Sequence, residues 1–471
     1  MRDSASENAI LAAWSATLAR GGARPAVCAA DGAVRRTFAD LEAESRAHEA
    51  QFDAFAPHSV VAVEIGNSER WPALLLALFR RGLIPLPLGG HLHAAELEVA
   101  LRTSRAAALV TARADGLAIQ RLPALAGAAE WPAPAPDFLK LTSGTTHAPR
   151  AIRFRAAQLL ADCEQICATM GLTERDVNYG VIPFSHSYGF SNLLTPLLGR
   201  GIALVATEDR LPRAILHGLE RSGATVFPGM PVFFGKCAEL ADTPTLPALR
   251  LCISAGAPLP RAVGEKFTAK FHRRIHTFYG ASECGGIGYD AAEDGGYEEG
   301  FVGTPMHGVE ITGGGAEGAP IAVRSAAVGD GYFPDADAAT LGGGRFIPAD
   351  LIRWTGQGMQ LAGRVSDVIN IAGRKLNPLE IEARLAEIPG VRQVVVFGVR
   401  SELRGEEAIA SVAGEGLARE PVLRLCRERL SAWQVPRDIW IVAEIPVNER
   451  GKISRRALAE RYLHEREENH R

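Results

Sequence analysis

The stretch LTSGTTHAPRAI, residues 141–152, gathers Thr142, Ser143, Thr145 and Thr146 around Gly144 and follows them with Arg150. Hydroxyl donors, backbone N–H groups near a glycine and a nearby guanidinium together suit an anion with several oxygens, most obviously a polyphosphate. The spelling is not that of the common nucleotide loop. A glycine, four residues and then Gly-Lys-Ser or Gly-Lys-Thr occurs nowhere in the chain. Taken alone, the stretch reads equally as a Ser/Thr-rich surface turn.

The elements that must position such a loop follow from periodicity. Before residue 130, FADLEAESRAHEAQF and WPALLLALFRR have helical periodicity, and they alternate with the β-type runs SVVAVEIG and AAALVTA. That alternation predicts a parallel, layered α/β sheet. The proline-rich LAGAAEWPAPAPDF reads as a surface linker into the hydroxyl loop. Four further runs, VNYGVIPF, GIALVAT, GATVFPG and ALRLCISAG, each end in Gly or Pro where a loop must begin. Loops at strand ends are where such sheets place ligands.

From about 301 to 353 glycine becomes dense and short strand-like runs replace helices, which predicts a small β-rich subdomain. Beyond LAGRVSD the helix PLEIEARLAEI sets Ile381, Leu385 and Ile388 on one face, and QVVVFGV, VLRLCRERL and IWIV follow as strand, helix and strand. This last part reads as a separate α+β domain.

Bulk properties narrow the function. With 471 residues the chain exceeds what one core usually supports. Hydrophobic residues make up 47% and charged residues 22%, as in an ordinary globular protein, and a net charge of −3 argues against nucleic acid as the main partner. The seven cysteines, Cys28, Cys163, Cys167, Cys237, Cys252, Cys284 and Cys426, show no paired C-x-x-C spacing and fit free thiols in a reducing compartment. Cys163 and Cys167 share one face of a predicted helix and read as core.

The N-terminus lacks the basic and apolar regions of a secretory signal, so the expected location is cytoplasmic. The most apolar run, from Trp71, is broken by Arg80, Arg81 and two prolines before the roughly 20 residues a membrane span needs. It predicts a core helix followed by a strand.

Further polar segments give the opening loop its meaning. They are PFSHSYGF with His186, ISAGAPLP with Gly256 and Ala257, and YGASECGG with Tyr279, Gly280, Ser282 and Glu283. Asp350 precedes LIRW, GRVSD carries Arg364 and Ser366, and PVNERGKISRRAL carries Lys452. Taken in order with LTSGTTHAPRAI, these segments closely resemble the adenylate-forming superfamily of acyl-CoA synthetases, peptide-synthetase adenylation domains and firefly-type luciferases, over nearly the whole chain.

The resemblance implies a large N-terminal domain of layered α/β subdomains plus a β-rich subdomain over 1–363. A hinge over 364–367, with Ser366 at its centre, and a small mobile α+β domain over 368–471 complete the expected α/β fold. It implies that the chain makes an acyl-adenylate from a carboxylic acid and Mg-ATP, releases pyrophosphate and passes the acyl group to a thiol. A carboxylate attacking the α-phosphorus brings two anions together, so the site must supply cations and donors where charge accumulates.

By resemblance Lys452 is the mobile catalytic lysine reaching the α-phosphate and the substrate carboxylate. Glu283 helps hold magnesium, a hard cation that takes carboxylate oxygen. Tyr279 lies against adenine, with Gly280 and Ser282 in the same nucleotide site. Residues 254–257, including Gly256 and Ala257, form a tight turn beside the base and the acyl pocket. Asp350 and Arg364 hold the ribose hydroxyls, and His186 stands between the ATP and acyl sites. Thr142, Ser143, Gly144, Thr145, Thr146 and Arg150 form the phosphate loop.

Two places depart from the common pattern. His147 stands where the phosphate loop normally has glycine and Arg150 where it normally has lysine, and a guanidinium is not equivalent to an ammonium. At the hinge Ser366 replaces the usual Asp or Lys. Amino-acid-activating relatives need a carboxylate for the substrate ammonium, and PFSHSYGF has none, which favours a fatty, aryl or other amine-free acid. The chain runs 19 residues beyond Lys452, so the thiol is expected from outside, as coenzyme A or the phosphopantetheine of an acyl carrier protein. The readings that follow are an acid–coenzyme A ligase, a carrier-protein ligase, or, from His147 and Ser366, a catalytically weak nucleotide- or acyl-binding protein.

Overall fold

The computed structural model describes residues 8–90, 92, 94–114, 116–122, 131–142, 150–371, 374–401, 405–447 and 453–468. By packing, the chain divides into two compact units, one formed by residues 1–312 and 322–348 and the other by 313–321 and 349–471.

In the first unit the predicted strand and helix alternation produces a parallel sheet. Pro25–Cys28, Ala203–Ala206, Val177–Gly180, Val226–Gly229, Leu251–Ser254 and Ile275–Ala281 lie side by side in that order, each parallel to the next. Every residue of Val226–Gly229 and Leu251–Ser254 is buried, as strands covered on both faces require. The chain leaves the carboxyl ends of four adjacent strands through the segments that carry His186, Met230, Gly256 and Glu283. After Ile275–Ala281 it doubles back at Gly285, φ +70°, into the antiparallel strand Gly285–Tyr289.

A second sheet holds Ile84–Pro87, Val60–Glu64 and Ala106–Arg113 in parallel, with Gly116–Arg121 antiparallel at one end. The apolar run is the helix Trp71–Arg80, buried at every position except Arg80, followed by the strand Ile84–Pro87. Among the described residues no helix is long and apolar enough to cross a membrane.

A third, three-stranded sheet carries the hydroxyl loop. Phe138–Leu141 and Ala151–Phe154 form an antiparallel hairpin, and Gly331–Phe333 adds to the far side of Ala151–Phe154. Asp330 fixes that third strand by taking both Arg155 Nε at 2.9 Å and Arg155 Nη2 at 3.0 Å, while Gln158 Nε2 donates to it at 2.8 Å. The helix Ala156–Met170 packs Cys163 and Cys167 inward and ends at Gly171, whose φ of +61° is the left-handed stop that glycine permits. All seven cysteines are free thiols, six of them buried.

The glycine-dense stretch from 301 to 353 is strand and turn, with no helix among its described residues. Its last strand, Asp350–Trp354, belongs to the second unit and pairs antiparallel with Met359–Arg364. The rest of that unit is α+β. A sheet of Arg374–Leu376, Ile369–Ile371, Gly405–Gly414 and Val391–Ser401 gains Asp438–Val442 parallel to Gly405–Gly414.

The helix Pro378–Ala386 buries Ile381 and Leu385, and Ile388 beyond its end, in a cluster with Val396, Ala410 and Val422. Each such aliphatic side chain contributes about 1.5–3 kcal/mol on burial. The opposite face packs Val395, Phe397 and Ile409 against Leu458 and Tyr462 of the helix Arg455–Glu468. Arg455, at the start of that helix, donates to Asp367 at 2.8 Å, Glu382 at 2.7 Å and the Val396 carbonyl at 2.9 Å.

Candidate active site

The hairpin of the third sheet has its neck closed by Thr142 and Arg150. The Thr142 N–H donates to the Arg150 carbonyl at 2.8 Å, and the Thr142 hydroxyl donates to the same carbonyl at 3.1 Å. The Arg150 N–H returns to Thr142 Oγ1 at 3.2 Å. The threonine hydroxyl therefore ties the ends of the two strands together. Ser143, Gly144, Thr145, Thr146 and His147 lie outside the described residues.

Strand register decides what shares a face with Arg150. Lys140 pairs with Ile152 and Ile152 with Tyr332, so these three point the same way, and Arg150 stands two residues before Ile152 on that same face. The Arg150 guanidinium lies 3.9 Å from the centre of the Tyr332 ring, and the Tyr332 hydroxyl donates to Glu283 Oε1 at 3.0 Å. One phenol thus joins the cation of the hydroxyl loop to the carboxylate of YGASECGG.

Burial pushes the Glu283 carboxyl above its ordinary range, while its own backbone N–H, the Tyr332 phenol, Lys140 and Arg150 pull the other way. A buried carboxylate whose charge its neighbours do not fully offset favours an added cation.

The loops at the ends of the parallel strands meet one another. Ser187 Oγ donates to Ser282 Oγ at 2.9 Å, which ties PFSHSYGF to YGASECGG. Tyr188 donates to the Ile253 carbonyl at 3.0 Å and stacks on Phe278 with ring centres 5.7 Å apart. Burial pushes the Tyr188 hydroxyl well above its usual range, so it stays a donor. His186 begins the short turn that follows, its carbonyl accepting the Phe190 N–H at 2.8 Å.

Ser254 ends its strand buried, with a hydroxyl that has no partner among the described residues. Gly256 follows at φ +88°, a backbone that side chains rarely adopt, and is exposed, with Ala257 half-buried after it. Tyr279 is buried opposite Gly288. At Gly280 any Cβ would meet the Gly285 carbonyl at 2.6 Å, so glycine is required by contact there.

In the second unit Asp350 and Arg364 stand directly opposite each other in the hairpin, and Arg364 Nε donates to Asp350 Oδ1 at 2.7 Å. The carboxylate is buried and the arginine side chain is 56% exposed, so the pair presents its outer edge to water. Ser366 lies in the single turn Val365–Asp367 that follows. Lys452 lies outside the described residues.

The sequence pattern thus marks Thr142 and Arg150, which bond to each other, Glu283, which Tyr332 links to Arg150, Ser282 beside it, and, in the other unit, Asp350 and Arg364, which bond to each other. It does not mark Tyr332, Ser187 or Lys140. Tyr332 sits 49 residues from Glu283 in a strand whose pairing has no local signal. Lys140 offered one, a charge in the otherwise apolar run FLKL.

The donor chemistry bears on magnesium. Among the described residues no group of three or more His, Cys, Asp or Glu gathers around a point. Glu283 offers a single carboxylate with one oxygen already bonded to Tyr332. This suits a cation held by one carboxylate together with phosphate oxygens and water, as magnesium is.

A family model described as AMP-binding enzyme matches residues 14–332, and one described as AMP-binding enzyme C-terminal domain matches residues 380–452. A probable CoA ligase of Humulus lupulus, CCL9, is 28% identical over 457 residues, covering 86% of this chain and 87% of its own length. A 3,4-dihydroxybenzoate–[aryl-carrier protein] ligase of Bacillus anthracis is 24% identical over 323 residues, covering 69% of this chain and 73% of its own. The crystal structure of ATP-bound MatB from Rhodopseudomonas palustris shares the fold with a TM-score of 0.85 at 22% identity, over 96% of this chain and 98% of that one.

Proposed function

The chain belongs to the AMP-binding enzyme family, the adenylate-forming acid–thiol ligases, and we propose that it activates an amine-free carboxylic acid and transfers it to coenzyme A. In the first step a carboxylate oxygen attacks the α-phosphorus of ATP, the bond to the bridging oxygen breaks, and pyrophosphate leaves an acyl-adenylate. In the second a thiol attacks the acyl carbon and AMP departs. The observation that carries this reading is the Arg150–Tyr332–Glu283 arrangement, in which one phenol touches both the cation that follows the hydroxyl-rich stretch and a buried carboxylate.

In this reading Ser143, Thr145 and Thr146 donate to the β- and γ-phosphates, with Gly144 leaving room for their close approach, and Arg150 supplies the positive charge. Glu283 would hold magnesium, which when bound neutralises phosphate charge. Tyr279, Gly280, Ser282, Gly256 and Ala257 line the adenine side. Asp350 and Arg364 open their mutual bond to take the ribose hydroxyls. Lys452 bridges the α-phosphate and the attacking carboxylate, and His186 separates the nucleotide from the acyl group. The small domain turns about Ser366 between the two steps.

PFSHSYGF offers serine, histidine and tyrosine and no carboxylate for a substrate ammonium. That supports a fatty, aryl or other amine-free acid. The similarity to an aryl-carrier-protein ligase favours a second reading of the acceptor, a phosphopantetheinyl carrier protein. The test is acid-dependent exchange of labelled pyrophosphate into ATP over a panel of fatty and aryl acids. The exchanging acid is then offered coenzyme A and, separately, a holo carrier protein. Thioester on coenzyme A is the expected product, thioester on the carrier alone would replace the acceptor, and exchange with none of a broad panel would favour a binding protein.

A further inference from the structure

Asn67 stands in the turn that follows the strand Val60–Glu64 of the second sheet, and its side chain bonds to the chain leaving Val177–Gly180 of the parallel sheet. It is buried, and its amide is fully engaged. Nδ2 donates to the carbonyls of Gly180, Ile182 and Thr207, each at 3.0 Å, and Oδ1 accepts the Phe184 N–H at 2.9 Å. Carbonyls around one end and an N–H at the other call for an amide in this orientation. A carboxylate would set oxygen against oxygen, and an apolar side chain would deprive those backbone groups of a partner.

The backbone of Asn67 is itself held. Its N–H donates to Glu208 Oε1 at 2.8 Å, and the preceding Gly66, φ +60°, offers its carbonyl to Trp71 Nε1 at 2.7 Å. A side chain on Gly66 would run into the Glu208 carboxylate. The amide is therefore a fixed post to which the chain from Gly180 to Phe184 is fastened.

That chain is the approach to His186. Pro183 lies between the fastened residues Ile182 and Phe184, and its carbonyl accepts the His186 N–H at 3.2 Å. The turn beyond packs so closely on the same carbonyl that a side chain at Gly189 would collide with it. Asn67 thus holds Ile182 and Phe184, these hold Pro183, and Pro183 holds the turn that His186 begins.

We propose that Asn67 is a positioning residue for the acid site, fixing the course of residues 180–184 and, through Pro183, the place of His186. The proposal rests on the reading of His186 as the group that separates the nucleotide from the acyl group. Asn67 acts through the backbone and is not a catalytic residue.

The experiment uses the full chain and two readouts. Hydrogen exchange of the amides of residues 181–190, followed by mass spectrometry without substrates, reads the clamp. The KM values for ATP and for an acid that wild type accepts, measured by pyrophosphate exchange, read its consequence. Wild type, Asn67→Asp, Asn67→Leu and His186→Ala are compared. Both Asn67 variants should exchange faster over 181–190 while the other strands of the parallel sheet stay protected as in wild type. Their KM for the acid should rise by about tenfold, the size of one lost buried hydrogen bond, against less than about twofold for ATP. His186→Ala should raise the KM for the acid as well.

Unchanged exchange over 181–190 in both Asn67 variants overturns the clamp. Faster exchange with the acid and ATP constants raised alike, or with neither raised, overturns the positioning role. An unchanged acid KM in His186→Ala overturns the reading of His186, and the proposal with it. If Asn67→Leu does not fold, Asn67→Asp and Asn67→Ser carry the same comparison.

Discussion

The Tyr332 hydroxyl donates to Glu283 Oε1 at 3.0 Å, and the other side of its role is the ring, on which the Arg150 guanidinium lies at 3.9 Å. Tyr332→Phe keeps the ring and removes the donor. Because a hydrogen bond to a charged group contributes about 1.5–3 kcal/mol, we expect the KM for MgATP to rise by about tenfold or more with the fold intact. Tyr332→Ala should lose more, since Arg150 then loses its platform. Steady-state kinetics with ATP varied at fixed excess magnesium checks this, and an unchanged KM in Tyr332→Phe would show the bond to be idle.

Arg150 is expected to act on ATP and not on the acid. Arg150→Ala should raise the KM for ATP while leaving the order of preference among acids unchanged. Arg150→Lys should recover only part, because an ammonium lacks the planar face that stacks on Tyr332. His147→Gly should change the apparent ATP affinity by less than about tenfold, roughly 1.4 kcal/mol. Abolished adenylation in His147→Gly with a silent Arg150→Ala would assign the loop a different function.

The polar loops at the strand ends were legible as loops because each is a local spelling at a strand terminus. YGASECGG, ISAGAPLP and PFSHSYGF announce themselves within a few residues, and the structure finds the strands before them in register. What joins them was not legible. Tyr332 reaches Glu283 only through the pairing of Gly331–Phe333 with Ala151–Phe154, and register across such a distance leaves no mark in either segment. Asp350 and Arg364 read as two separate ribose contacts, and only the hairpin register reveals that they bond to each other.

That mutual bond leads to a separable prediction. The Arg364 side chain is 56% exposed, so the pair contributes less than about 1 kcal/mol to folding. Asp350→Asn and Arg364→Met should therefore unfold within a few degrees of wild type, yet both should raise the KM for ATP clearly. Thermal melts read with ATP kinetics decide the matter: a large loss of stability with normal ATP kinetics would make the pair structural.

Acid sensitivity should be traceable to Asp176. This carboxylate is 4% exposed and accepts Arg250 Nε and Nη2, each at 2.7 Å, the Thr173 N–H at 2.8 Å and the Thr225 hydroxyl at 2.9 Å. Burial opposes ionisation, but Arg250, the Thr173 N–H and the Thr225 hydroxyl outweigh it and hold the group below the usual carboxylate range. With the folded pKa depressed, the contribution is fully present above the unfolded value of about 3.9 and is lost as pH falls through the folded value. Arg250→Met should thus cost about 1–2 kcal/mol at neutral pH, discounted because Arg250 is 43% exposed, and should flatten the loss of stability below about pH 5. Urea denaturation across pH reports both, and a steeper acid limb in the variant would contradict the assignment.

The two-step account stands most directly on Lys452. One measurement compares wild type and Lys452→Ala in the two half-reactions separately: acid-dependent pyrophosphate exchange, and thioester formation from a pre-made acyl-adenylate. Removal of one transition-state donor should lower the first by about 10²–10³ and the second far less. Equal loss in both half-reactions would contradict the account.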